Sequence, residues 1–197
     1  MINRSAVLAA AIGTAIASAL SAQASAPVAK LDRWEFLMPS GALMPTGAQH
    51  HAIRSASLSA AQLTYVVRPS IAITSQFGWA RSRDIVAAGT PKLDVFTYDV
   101  GAELRTARAE AGKASGFMPF AGIGVGGRSY NYRKLEVDAT HNLSAYGSVG
   151  GELRVRRVGV RLEARDYVSG FKPLAGQGVG RTGNDVVVMA GLRLISR

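Results

Sequence analysis

The sequence has no cysteine among its 197 residues, so it offers no disulfide staple, no thiolate metal ligand and no thiol nucleophile. Histidine is nearly as scarce. Only His50, His51 and His141 are present, which leaves little for imidazole-based hydrolysis or for a metal centre. Acids are also few, 13 against 23 lysines and arginines, and the formal net charge is +10. Beyond residue 20 no apolar run approaches the roughly 20 residues of a spanning helix, which excludes a helical membrane protein.

What is present begins with a leader. Arg4 precedes an almost uncharged stretch, Ala6 to Leu20, and the small residues Ala22-Gln23-Ala24 and Ser25-Ala26 follow at cleavage spacing. This order reads as a secretory signal peptide over residues 1–24, with one domain over 25–197. An exported chain has poor reason to meet nucleic acid, so its basic excess points to phosphorylated lipid headgroups or another anionic surface.

The rest of the chain alternates with period two, the mark of strands. From Leu143 to Val155 the odd positions are apolar or small, while the even ones include Tyr146, Glu152 and Arg154; Arg156-Arg157 is a tight joint, and Val158, Val160, Leu162 and Ala164 then oppose Gly159, Arg161, Glu163 and Arg165. Asp166 and Tyr167 break that parity and predict an end or a bulge. Similar segments lie at Trp34–Met44, Ser57–Val67, Ile71–Ala80, Val95–Thr106, Gly116–Tyr130 and Asp185–Ile195, with Pro39 and Gly41 suggesting a bend in the first. Ala107 to Ser115 is too short for a stable helix and reads as a turn. Eight strands result, and their joints alternate between shorter and longer.

Alternation alone does not choose between two barrels. A soluble one would bury Phe96, Tyr98, Val100 and Leu104, whereas a membrane one would turn them to lipid and keep a polar lumen. The leader, the even strand count and the asymmetric joints favour the membrane barrel, and a soluble periplasmic ligand-binding barrel stands as the alternative. The expected fold is all-β, an eight-stranded antiparallel up-and-down transmembrane β-barrel. Trp34, Phe36, Tyr65, Phe77, Trp79 and Tyr98 fall near strand ends, where an interfacial girdle belongs.

The segments PFAGIGVGGRSY, AYGSVGGELRVRRVGVRLEARDY and VVVMAGLRL, behind that leader, resemble the small outer-membrane β-barrel proteins of Gram-negative bacteria, the broad family that includes the transmembrane domain of outer-membrane protein A. The resemblance spans nearly the whole mature chain and is one of pattern. It implies residence in the cell outer membrane with both termini periplasmic, insertion by the barrel assembly machinery, and contact with outer-membrane lipids including lipopolysaccharide, the protein being a monomer. Roles in the family range over structural proteins, adhesins, narrow pores and lipid-modifying enzymes. Where such barrels commonly end on an aromatic residue, this chain ends Leu194-Ile195-Ser196-Arg197. No wall-binding domain follows the last strand, so wall tethering is not implied.

Inward parity gathers Asp99, Glu103, Arg105, Glu152, Arg154, Arg161, Glu163 and Arg165 as a lumen ionic cluster, four acids against four arginines. Unpaired buried ions are expensive, so these groups are expected to pair and plug the lumen, with a small outer-membrane pore as the alternative. Gly122, Gly124 and Gly126 resemble a phosphate loop only superficially, because they lie inside a strand. They are expected to make room for long arginines from across the barrel. For catalysis the one candidate pair at a strand mouth is His141 with Ser144, and His50-His51 lacks a third ligand, so no catalytic residue, cofactor or metal is expected.

Overall fold

The computed structural model describes residues 34–106, 115–133, 135–136, 139–171 and 181–196. The leader and most of the 107–115 turn lie outside these residues. Eight strands are formed: β1 (Trp34–Thr46), β2 (Ala56–Arg68), β3 (Ile71–Arg83), β4 (Lys92–Arg105), β5 (Ser115–Tyr132), β6 (Thr140–Val155), β7 (Val158–Phe171) and β8 (Arg181–Ile195). Each pairs antiparallel with its sequence neighbour, and β8 pairs with β1 to close the barrel. Closure leaves no free sheet edge. Among the described residues no helix is long and apolar enough to cross a membrane.

Alternation sorts each strand into two faces. The outer face carries the apolar set: Val100 is 56% exposed and Val125 67%, with Phe117, Ile123, Leu153, Val160 and Leu162 similarly bare. Phe96, Tyr98, Val100 and Leu104 are therefore outside, and the soluble alternative, which needed them inside, is overturned. The inner face of the same strand holds Leu93, Val95, Thr97, Asp99, Glu103 and Arg105, all buried.

Three expectations about strand shape are corrected. β7 runs on to Phe171 with an unshifted register against both neighbours, so no bulge occurs at Asp166-Tyr167. Tyr167 simply continues the inner face, its hydroxyl donating to Asp99 at 2.6 Å, and Val168 continues the outer one. β1 likewise keeps one register across Pro39 and Gly41. Gly41 is there because β8 comes close: a Cβ would run into the Val188 backbone carbonyl. β8 starts at Arg181, four residues before the expected start at Asp185, paired to Phe171. Among the described residues the one register shift is in β2, between Val66 and Arg68 at the tight turn.

The barrel has two unlike ends. The Pro69-Ser70 and Arg156-Arg157 turns sit at one, here the turn end, together with the start of β1 and the finish of β8. At the other, the loop end, β1 passes into a short 3-10 helix, Gly47–His51, and Ile53 bridges to Asp84 across the mouth. Leu43, Ile53, Leu58, Leu93, Tyr130 and Val187 belong to one buried apolar cluster in this half.

Candidate functional site: the lumen

The inner face of the turn-end half is ionic. Glu35, near the start of β1, accepts hydrogen bonds from Arg105 at 2.7 Å, Arg193 at 2.6 Å and Arg154 at 3.0 Å. Glu152 lies 2.8 Å from Arg154 and 3.1 Å from Arg193. Arg161 then joins Glu103 at 2.7 Å to Glu163 at 2.9 Å, and Arg165 joins Glu163 at 2.6 Å to Gln62 at 3.2 Å. Asp99 closes the run, 3.7 Å from Arg165. Arg161 also lies 3.8 Å from Glu152, so five carboxylates and five guanidinium groups form one continuous, charge-balanced network.

All eight residues of the expected cluster lie in this network, seven buried and Arg154 half-buried. Two further members, Glu35 and Arg193, are what the sequence reading missed. Glu35 sits in the strand that Pro39 and Gly41 made least legible, and Arg193 stands among uncharged inward neighbours, so neither announced an ionic face. Both follow from parity once the strands are in register. Arg161 also lies over the Phe120 ring at 3.4 Å, and Arg165 over Tyr146 at 4.5 Å, which gives their flat faces partners that carboxylates do not.

The glycines of β5 have a different neighbour from the one expected. A Cβ on Gly124 would collide with the Tyr146 ring and one on Gly101 with its hydroxyl, while Gly122 faces Ser148 and Gly126 faces Asp99 and the Tyr98 carbonyl. The room at Gly124 and Gly101 is filled by Tyr146, not by a long arginine. Their flat strip lets a ring from β6 lie across the barrel between the ionic and apolar halves.

Among the described residues the lumen of the loop-end half contains one separate ion pair, Arg128 with Asp185, and Arg128 also lies over Tyr167 at 4.3 Å. Gln49 from the 3-10 helix projects beside this pair. With its amide assigned from the hydrogen-bond network, it accepts from Tyr130 at 3.2 Å and donates to Asp185 at 2.7 Å. Asp84 is held from three sides, by the Tyr132 hydroxyl at 2.7 Å and by the backbone amides of Val86 at 2.9 Å and Ala87 at 3.0 Å. The mouth is therefore tied to the wall through one amide and two carboxylates.

The fold does not bring the candidate catalytic pair together. His141 is exposed on the outer face, 3.2 Å from the Tyr98 hydroxyl, whereas Ser144 is buried on the inner face of the same strand. Three residues apart on a strand means opposite faces. His50 and His51 stand edge to face at 5.4 Å, and the described residues contain no group of three His, Cys, Asp or Glu positioned for a metal ion.

On the outside, aromatic rings cluster at both ends of the strands. Trp34 and Tyr65 meet at 4.9 Å at the turn end, and Phe96 stacks with Phe77 at 6.1 Å and Trp79 at 6.4 Å toward the loop end. Between the two clusters the outer face is aliphatic or small. A closed barrel of this form, similar over 84% of its length to 97% of the crystal structure of Neisserial surface protein A (NspA), TM-score 0.62 and 9% identity, settles the architecture. The chain has the fold of the small outer-membrane barrels. The N-terminal β-barrel domain of Pseudomonas aeruginosa OprF covers 82% of the chain with 98% of its own, at 10% identity and a TM-score of 0.48. The outer membrane enzyme PagL covers 83% with 99% of its own, at 13% identity and 0.43. No family model matches the sequence, and no curated protein does.

Proposed function

We propose that this protein is a structural or surface-interaction barrel of the cell outer membrane, non-catalytic and monomeric, with its loop end outside the cell and both termini in the periplasm. One observation carries the reading: the outer face of the closed barrel is apolar, while the five acids and five arginines of the network face inward. In water that arrangement exposes a continuous apolar surface and has no driving force; in a bilayer it has one. Val100, Leu104, Val149, Leu153, Val160 and Leu162 meet lipid in this reading, and the two aromatic clusters meet the headgroup boundaries. The partners that follow are the lipids of that membrane, lipopolysaccharide among them, and the barrel assembly machinery during insertion.

The lumen in this reading is plugged. Eight strands leave an interior that side chains can fill, and here arginine pairs fill one half and apolar and tyrosine side chains the other. The test has two readouts. On fractionation the protein should sediment with the outer membrane and leave it in detergent but not in high salt; recovery in the soluble periplasm would end the proposal. In planar bilayers the refolded protein should give rare, flickering openings. Sustained voltage-independent channels in most insertions would replace the plug with the small-pore reading.

A further inference from the structure

Above the loop-end aromatic cluster the outer wall becomes strongly cationic. Arg81 follows Trp79 on the outer face of β3, and Arg83 follows Arg81, so their backbone positions lie roughly 7 and 14 Å farther along the strand than that of Trp79. Lys92 of β4 pairs in register with Arg83. Arg54 is fixed beside them, its amide donating to the Arg83 carbonyl at 3.0 Å and its own carbonyl accepting from Ser82 Oγ. With Arg133 from the next loop, these side chains line a cleft of about 370 Å³.

The acids of this region are already engaged. Asp94 accepts from Trp79 Nε1 at 3.0 Å and from Arg133 at 2.6 Å, and Asp84 is held inside the mouth by Tyr132 and two amides. The hydrogen bond that Arg133 donates to Asp94 raises the pKa of Arg133. No ion pair among the described residues engages Arg54, Arg83 or Lys92, while Arg81 stands opposite Asp94 across the β3–β4 pair. Arg81 is ordered, its guanidinium 4.0 Å over the Trp79 ring. A preordered arginine loses less freedom on meeting an anion, and its planar fork suits phosphate.

We propose that this cleft binds the phosphorylated saccharide headgroup of a glycolipid in the leaflet around the loop end. Height selects the ligand. The Trp79, Phe96 and Phe77 rings mark the boundary of the hydrocarbon, so the cations directly above them lie in the headgroup layer, where a lipid phosphate is held at that level by its own acyl chains. The cleft's volume is in the range of pockets that take a whole small molecule, and Ser55 and Ser57 on its wall supply hydroxyls for sugar oxygens. This site rests on the outer-membrane reading above and specifies which lipid contacts matter.

The experiment uses the refolded protein in neutral detergent micelles, with folding checked by the heat-dependent gel mobility of a closed barrel. The probes are bis-phosphorylated lipid A, the same lipid with its phosphates removed, phosphatidylglycerol and sodium phosphate, with native mass spectrometry counting bound lipid. Wild type should retain the bis-phosphorylated lipid about tenfold better than the dephosphorylated form, and the triple variant R54S/R83S/K92S should lose about that factor. If the triple variant fails to fold, the single variant K92S, at the exposed rim, should still lose about threefold. Equal binding by folded variant and wild type overturns the site. Equal retention of phosphatidylglycerol overturns the headgroup, and displacement by millimolar sodium phosphate overturns the lipid in favour of a small-anion site. Sedimentation with the outer membrane combined with an unaffected variant removes this site alone, whereas a soluble periplasmic wild type removes the reading beneath it.

Discussion

The two halves of the lumen are built on opposite principles. At the turn end, Glu35, Glu103, Glu152 and Glu163 interleave with Arg105, Arg161, Arg165 and Arg193, and each carboxylate meets at least one guanidinium at 3.1 Å or less. At the loop end Leu43, Leu58, Leu93, Val95 and Val187 pack on tyrosines, with a single ion pair among them. Burying charge carries a desolvation penalty of several kcal/mol per ion, so the ionic half holds together only while every member has its partner. The apolar half has no such all-or-none condition: losing one side chain costs the contacts of that side chain and a cavity. One half is specified by charge pairing and is brittle; the other is filled by volume and is forgiving.

The largest effect should come from the brittle half. Glu163→Ala leaves Arg161 and Arg165 short of the carboxylate they share, and should destabilise by about 3 to 5 kcal/mol. Urea unfolding of the refolded barrel, followed by gel mobility, measures it. The comparison sharpens if Arg165→Met, added to Glu163→Ala, recovers part of the loss, since the orphaned charge is then gone. A loss below about 1 kcal/mol for Glu163→Ala would mean that the network is wet and screened.

Leu93→Ala in the forgiving half should cost less, about 2 to 3 kcal/mol, from lost burial and the cavity left behind. Its unfolding curve should also move less with salt than that of Glu163→Ala. A leucine loss larger than the glutamate loss would break the contrast.

The smallest effect is expected at the boundary between the halves. Gly124→Ala places a methyl against the Tyr146 ring and the Val100 backbone carbonyl, and should cost about 1 to 2 kcal/mol by overpacking. The double variant with Tyr146→Ala should lose the part of that penalty that comes from the ring and keep the part that comes from the Val100 carbonyl. If Gly124→Ala is as costly beside alanine as beside tyrosine, the tyrosine is not what the glycine accommodates.

Much of this was legible because a strand's side chains alternate with no intermediate state. Once Leu143 to Arg165 was read as two strands, one residue on either face fixed every other, and the strands with charge on one parity and aliphatics on the other, β4, β6 and β7, gave up their ionic face directly. Strands with apolar residues on both parities did not. In β8, Val186, Val187 and Val188 follow one another without contrast, so neither Asp185 nor Arg193 stood out. Tyr167 was misleading for the same reason in reverse, an aromatic on the inner face where the pattern had been ionic.

The sequence by itself determined the strand count, the face to which each side chain belongs and the presence of balanced charge on one of those faces, because all three depend only on spacing along the chain. Which charges pair was decided by the tertiary structure. Glu35 reaches Arg105, Arg154 and Arg193 from three other strands, and their separations in sequence, 70 to 158 residues, carry no local signal. The same holds for the cleft. Arg54, Arg83, Lys92 and Arg133 come from separate segments, and only closure of the barrel at this register sets them above one aromatic cluster.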